Sequence, residues 1–435
     1  MEKKKFYLET YGCQMNEYDS HLVESLLTAA GFEKTESESR ADIVILNTCS
    51  VRQHAEERAL GRIRSVSSAR RSREIAVIGC MAQRMGDELL AINKGVKYVL
   101  GTDSFYKIAE ILKSGNGGQV VDISCREEPF EYESRPSGKS LSDYVTIMRG
   151  CDNYCSYCIV PYVRGRERCR PPERIAEEIN RLDERGRREI WLLGQNVNSY
   201  KNESIDFPIL LEYVLENTEI PRIRFLTSHP KDFSERLIDV MASDDRICKG
   251  IHLPLQSGSD VILKKMNRKY TSAQYLQKIR KLREAVPEVV ITTDLIVGFP
   301  GESEDDFRRT LDMVEEIEYD SAFMFRYSVR SGTRAEKFGD DVPEETKLSR
   351  LDRLIQIQKK IKIAEKKMAS HIGSVQTVLL EQPAKQSRDD ARGKNDGGLN
   401  VVVRGGAEHI GEFVDVKIIS SSYSTLVGEI INWQE

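Results

Sequence analysis

The stretch RGCDNYCSYCIVP, residues 149–161, sets Cys151, Cys155 and Cys158 on one short segment, with gaps of three and two residues. It follows the strand-like run DYVTIMRG, so any fold must present three thiols together at the end of a strand. Three thiolates on one loop can hold three irons of a cubane cluster, which leaves the fourth iron open to a substrate or cofactor. A structural zinc site wants four protein ligands. The nearest further cysteine, Cys169, lies eleven residues on, past an Arg-rich stretch. Three buried thiols with no metal is the remaining reading.

Three more cysteines follow strand-like runs. Cys13 (YGCQMN) comes after KKFYLET (4–10), Cys49 (NTCSVR) after DIVILN (42–47) and Cys80 (IGCMAQ) after EIAVIG (74–79). Helical patterns lie between them, such as EYDSHLVESLLTAAGF (17–32), which closes near a Gly. Strand–helix alternation predicts a parallel sheet. Ligands of such sheets gather outside the carboxyl ends of the strands. The three cysteines are therefore expected at one edge, as a second metal site, although they are 36 and 31 positions apart. Cysteine is also a common core residue, so chance placement is the competing reading. The N-terminal apolar stretch is too short for a signal segment, and no 18-residue apolar run occurs. That predicts a cytoplasmic protein with no membrane contact, where grouped cysteines point to metal or catalysis rather than disulfides.

The pattern divides into residues 1–125, a polar linker at 126–140, a second series at 141–370, and a β-rich segment at 371–435. In the second series DYVTIMRG, EIWLLGQN, RIRFLTSH, GIHLPLQS, VVITTDLIVGF and SAFMFRYS read as strands separated by helices such as 172–185 and 272–285. Six such units predict a partial or full β/α barrel, with the Cys151 loop on its carboxyl rim. Residues 344–368 read as one long amphipathic helix with eight Lys/Arg against four Asp/Glu. Gly-rich turns between short strands after 372 suit a small β-barrel. The net charge of −4 gives no whole-chain nucleic-acid footprint. Any RNA surface must be local, and Arg164, Arg166, Arg168 and Arg170, the cluster Arg70, Arg71 and Arg73, and the basic helix are the candidates. Nothing in the pattern calls for more than a monomer.

TYGCQMNEYDS, NTCSVR, IGCMAQR, GCDNYCSYCIVPYVRGRER, LLGQNVNSY, HLPLQSGS, TDLIVGFPGE and FRYSVRSGT together resemble the methylthiotransferase family of radical S-adenosylmethionine (SAM) enzymes, from about residue 4 to 433. The resemblance implies an N-terminal α/β domain with a parallel sheet, a central partial TIM-like barrel and a small antiparallel β-barrel of TRAM type. It implies two [4Fe-4S] clusters, one on Cys151, Cys155 and Cys158 with SAM, and an auxiliary one on Cys13, Cys49 and Cys80. By the same resemblance Tyr157 lies near the adenine of SAM, and Gln195 and Asn196 near its methionine end; Gln256, Ser257 and Asp294 sit at strand ends facing the rim, which makes Gln256 and Asp294 further cofactor-binding candidates. Gly298 and Gly301 shape a turn, and Cys125, Cys169 and Cys248 are ordinary thiols. The implied reaction installs a 2-methylthio group on N6-dimethylallyladenosine beside the tRNA anticodon. TYGCQMN and HLPLQSGS favour that branch over sister branches acting on threonylcarbamoyl-adenosine or on an aspartate of a ribosomal protein. The implied partners are the tRNA anticodon stem-loop, an electron donor of reductase or flavodoxin type, and a sulfur source. A purely RNA-binding protein with structural clusters would be supported by a four-cysteine set, and neither set has four. An electron carrier would show ferredoxin-like spacing. Two departures stand out: Cys169 where the family usually has serine, and RGKNDGGLNVVV in place of a GRT-type signature. Residues 371–435 are also acidic, with six Lys/Arg against nine Asp/Glu.

Overall fold

The structure, a computed structural model, describes residues 3–50, 53–66, 73–114, 118–125, 140–361, 364–422 and 424–431. Nearly all of the expected linker, residues 126–139, lies outside the described residues, as do Arg70 and Arg71. The N-terminal region is a six-stranded sheet in the order Glu33–Lys34, Lys5–Tyr11, Ile43–Thr48, Glu74–Gly79, Val96–Leu100, Val120–Asp122, with every pair parallel. Its central strand Ile43–Thr48 is buried at every residue. Successive side chains of a strand point to opposite faces. Ile43 and Ile45 accordingly enter one core, and Val44 and Leu46 the other. Covering on both faces is what a parallel sheet demands. Register sets Tyr11 beside Thr48 and Thr48 beside Gly79. The three strands thus end level, and a cysteine follows each end.

The second region contains two three-stranded parallel sheets. One orders Arg222–Phe225, Glu189–Leu193 and Ser142–Thr146; the other orders Gly250–His252, Val290–Val297 and Ser321–Arg326. A parallel bridge between Ile223 and Ile247 links them. The six predicted strands are all present, in chain order. Val145, Ile190, Leu192, Ile223 and Phe225 form one core with helix residues such as Ile175, Ile179 and Leu211. The alternate residues Tyr144, Trp191 and Leu193 instead meet Met15 and Tyr18 from the N-terminal region. Two predicted strands are shorter than their apolar runs. DYVTIMRG breaks at Ile147, and Met148–Arg149 turns to pair antiparallel with Arg168–Cys169. GIHLPLQS keeps only Gly250–His252, because Pro254 cannot donate to a ladder. The long helix is seen as Glu344–Ile361 and Ala364–Ser370, with residues 362 and 363 outside the description.

The C-terminal strands close a five-stranded barrel. All its pairs are antiparallel but one: Asn400–Arg404 runs parallel to Thr425–Ile430. The departing RGKNDGGL segment has a structural use. Its turn seats on the amino ends of the central strands. Arg222 donates to the carbonyls of Lys394 and Thr377 at 3.1 Å each, and Arg224 to those of Asp396 (2.7 Å) and Asn395 (2.6 Å). A Cβ on Gly250 would sit 2.6 Å from the Gly397 carbonyl oxygen, so two glycine-bearing segments cross here at backbone contact. Among the described residues, no helix is long and apolar enough to cross a membrane.

Candidate active site at the domain seam

Each N-terminal cysteine lies just past a strand, and two of them begin a helix. Cys13 caps the helix Gln14–Ala29, and Cys80 opens the helix Cys80–Met85. Asn16 ties the first helix to the neighbouring strand end, its Nδ2 donating to Asn47 Oδ1 (2.9 Å) and to the Thr48 carbonyl (3.2 Å). Gly79 has φ +94°, and a Cβ there would meet the Thr48 carbonyl oxygen at 2.6 Å. Only glycine permits that turn into Cys80. Cys49 and Cys80 are buried and Cys13 is exposed. A hydrogen bond with the Cys49 sulfur, aided by the charge of Arg164, lowers the Cys13 thiol to about 6. Burial pushes Cys80 up.

The Cys151 loop is built locally. Gly150 has φ +80°, and a Cβ would lie 1.9 Å from the Arg166 carbonyl oxygen, so the loop's two limbs cross at backbone contact. The Gly150 N–H donates to Gln195 Oε1, and the Cys151 N–H to the Gly165 carbonyl at 3.2 Å. Ser156 anchors the far side, its N–H on the Met266 carbonyl (3.0 Å) and its hydroxyl on that of Lys265 (2.9 Å). Burial raises Cys151 to about 11 and Cys158 to about 12. The buried Arg268 places Nη1 3.5 Å from Cys155 Sγ.

The two trios face one seam. Cys80, Ile159 and Val163 form a single apolar contact. Thr102 Oγ1 donates to the Val163 carbonyl at 2.6 Å. Asp19 accepts from both Arg149 and Arg164, all three buried. Arg164 also hydrogen-bonds Cys80 and lies within the field of Cys13. On the other side Arg330 Nη1 donates to the Ser50 carbonyl at 2.7 Å. Its charge is felt by Cys49 and by Cys158, one from each trio. A cavity of about 250 Å³ opens here, lined by Ser50, Glu56, Arg84, Ile159 and Arg330 among others.

Three parts of the chain match family models. Residues 5–101 match the uncharacterized protein family UPF0004, 145–314 the radical SAM superfamily, and 369–431 the TRAM domain. The chain is 42% identical to the tRNA-2-methylthio-N(6)-dimethylallyladenosine synthase of Phocaeicola vulgatus, covering 98% of this chain and 96% of that one. The synthase of that name from Azobacteroides pseudotrichonymphae is 44% identical, covering 98% and 97%. This chain belongs to the tRNA-2-methylthio-N6-dimethylallyladenosine synthase family. In fold it is similar to the radical SAM methyltransferase TsrM from Kitasatospora setae, with TM-score 0.58 and 14% identity over 77% of each chain. The cobalamin-dependent radical enzyme OxsB is similar at TM-score 0.54 and 12% identity, over 83% of this chain and 56% of that one.

The radical SAM match implies a [4Fe-4S] cluster and SAM, and the Cys151, Cys155 and Cys158 thiols fit that cluster. All six cysteines are free thiols. Each trio has a buried guanidinium against a sulfur, Arg164 at Cys80 and Arg268 at Cys155. Cations so placed favour thiolates. Among the described residues, no three His, Cys, Asp or Glu side chains converge to hold a single ion. Ligands to three separate irons need not converge.

The residues expected to hold SAM are only partly free to do so. Gln195 accepts from Gly150 through Oε1, and Asn196 bridges Asp232 (2.7 Å) and the His229 N–H (3.0 Å). Tyr157 packs edge to face on Phe299, centroids 6.5 Å apart. Asp294 Oδ2 is 3.2 Å from His252 Nε2. Ser257 is buried and shares a hydrogen bond with Thr310 at 3.4 Å. Gln256 differs: it is buried, holds φ +70°, and its Oε1 has no partner among the described residues. His229 Nε2 is likewise buried and without a partner among them. Gly298 and Gly301 do turn at positive φ. Cys125, Cys169 and Cys248 are also free thiols.

Much of the expected basic charge is engaged within the chain, while Arg70 and Arg71 lie outside the described residues. Arg164 and Arg170 are buried, the latter on Glu178 and the Thr146 carbonyl, and Arg168 is bound to Asp103. Only Arg166 of that stripe is exposed, and it pairs with Asp152. Three of the four guanidiniums, those of Arg164, Arg168 and Arg170, meet buried carboxylates and serve the fold. Arg73 pairs with Glu38, while Lys347 and Arg350 of the basic helix are buried against Asp340 and Glu302. Arg268, Arg330 and His229 were not singled out from the sequence. Arg330 lies in the quoted FRYSVRSGT motif, which was the one available signal.

Proposed function

We propose that this protein converts N6-dimethylallyladenosine beside the tRNA anticodon to its 2-methylthio form. The observation that carries the reading is the seam where two cysteine trios meet, in a chain of this family. Cys151, Cys155 and Cys158 would hold one [4Fe-4S] cluster together with SAM, and Cys13, Cys49 and Cys80 the auxiliary one. When bound, these groups supply removal of hydrogen from the unreactive C2 carbon and the sulfur that replaces it. The chain supplies the rest. Arg268 and Arg164 offset the negative charge of buried thiolates. The Cys80–Ile159–Val163 contact keeps water from the space between the trios, as one-electron chemistry requires. Arg330 braces Ser50 against the barrel and so fixes the spacing of the two sets. Gln256 and His229 keep unsatisfied buried atoms on the rim, which suits them to a polar ligand. The target base must leave the loop stack to enter, which an unpaired anticodon loop permits.

The reaction also calls for an outside electron donor of reductase or flavodoxin type and a sulfur source for the auxiliary cluster. Nine free thiols suit a cytoplasmic place of action. The test is anaerobic reconstitution with reductant, SAM and two tRNA pools, with and without dimethylallyl-adenosine, followed by mass spectrometry of the nucleosides. A methylthio product from the modified pool alone is the expected result. Product from neither pool, or from the unmodified pool alone, overturns the reading.

A further inference from the structure

The cluster loop carries an aromatic feature that holding a cluster does not use. Tyr154 lies between Cys151 and Cys155, and Tyr162 stands four positions past Cys158. Their rings meet edge to face, with centroids 6.2 Å apart and planes at 84°. Both are open to solvent, at 41% and 49% exposure. An edge-to-face pair leaves both faces of the edge ring free, so this contact does not use up the stacking surface. Exposed neighbouring aromatics at the mouth of a site are an unusual use of apolar area.

The backbone is arranged to hold Tyr154 out. Its φ is +47°, a region that bulky residues enter only at a cost. Asn267, itself at φ +59°, donates from Nδ2 to the carbonyls of Asn153 (3.1 Å) and Tyr154 (2.9 Å). Lys269 is exposed with Nζ 2.6 Å from Asn267 Oδ1, and the exposed Arg166 side chain lies on Asp152 beside the same loop. Two residues with left-handed backbones are therefore tied together, the Asn267 side chain to the Tyr154 backbone, and the loop presents a ring with cations alongside. Nucleobases stack on aromatic faces while Lys and Arg meet the phosphates.

We propose that Tyr154 and Tyr162 form a stacking shelf for an unpaired RNA base adjoining the target nucleotide. The shelf grips the neighbour while the target base enters the seam. This rests on the tRNA reading above and adds the surface by which the loop is opened. It also relocates RNA contact from the arginine stripe, which is mostly buried, to the aromatic pair beside it.

The test uses the reconstituted full chain and two anticodon stem-loops bearing 2-aminopurine, one on each side of the target adenosine. The parent protein is expected to quench at least one probe on binding. Tyr162→Ala should weaken Kd about tenfold, on the order of the loss of one base–aromatic stack, and relieve the quench. Tyr162→Phe should restore both, because the ring and not the hydroxyl is used. Tyr154→Ala is the second variant, with iron content compared to the parent as the check on its loop. Parent-like affinity and quench in both alanine variants overturn the shelf, as does a parent that quenches neither probe. If the quench depends on the tyrosines but no methylthio product forms, the shelf stands and the proposed function falls.

Discussion

The two cysteine trios are built in opposite ways. Cys151, Cys155 and Cys158 sit on one loop, so their proximity is nearly local and needs only the turn at Gly150 and the anchors at Ser156. Cys13, Cys49 and Cys80 come from three separate strands and meet only because a parallel register ends those strands level. The electrostatics diverge as well. Burial raises Cys151 and Cys158, whereas the hydrogen bond from Cys49 and the charge of Arg164 lower Cys13. Arg164 belongs to the barrel loop, so one region tunes the other's site. A ligand set made by topology is thus tied to global packing, and a set made by a loop to local backbone geometry.

The largest expected effect separates the trios chemically. Cys155→Ala should reduce SAM cleavage, read as 5′-deoxyadenosine, to background, with loss of one cluster's iron. Next is the tie between the regions. Asp19→Ala leaves the buried Arg149 and Arg164 without their shared carboxylate. It should cost about 3–5 kcal/mol in denaturant unfolding. An unchanged midpoint would show that the seam does not hold the halves together. The glycines sharpen the contrast further. Gly150→Ala should strip iron from the loop trio alone and Gly79→Ala from the strand-end trio alone. Each change sets a side chain at positive φ, costing about 1–2 kcal/mol before any clash. Equal loss of both clusters in either variant would break the comparison. The smallest effect concerns His229, which burial, aided by Arg268, lowers to about 2. The unfolded chain takes up this proton below about pH 6.5 and the folded chain does not. The stabilising contribution is therefore whole above pH 6.5 and is lost on acidification toward 2, by about 1.4 kcal/mol per pH unit. His229→Gln should flatten the pH dependence of the unfolding midpoint between pH 7 and 5 by that slope.

Where the sequence was legible, the signal was periodic or spaced. The parallel strands of both regions announced themselves as β-branched runs between helical patterns, and strand-end position foretold the shared edge of Cys13, Cys49 and Cys80. Charge was the least legible signal, for a physical reason. An alternating arginine run looks the same whether it lies on a solvated face or sends its guanidiniums into buried carboxylates, as Arg164, Arg168 and Arg170 do. RGKNDGGL likewise looked like a departure in an RNA-binding module. Its glycines are explained only by Arg222, Arg224 and Gly250, which lie more than a hundred residues earlier. Arg330 and Arg268 carry no charge pattern, because partners such as Ser50, Cys155 and Pro254 come from loops distant in sequence.

The measurement that tests the account most directly is paired product analysis of Cys49→Ala. The variant would be given SAM, reductant and tRNA carrying dimethylallyl-adenosine, with 5′-deoxyadenosine and the methylthio nucleoside counted in the same sample. Two distinct trios serving one seam predict that 5′-deoxyadenosine still forms while the methylthio nucleoside disappears. Methylthio nucleoside at the parent's level, or loss of both products together, would contradict it.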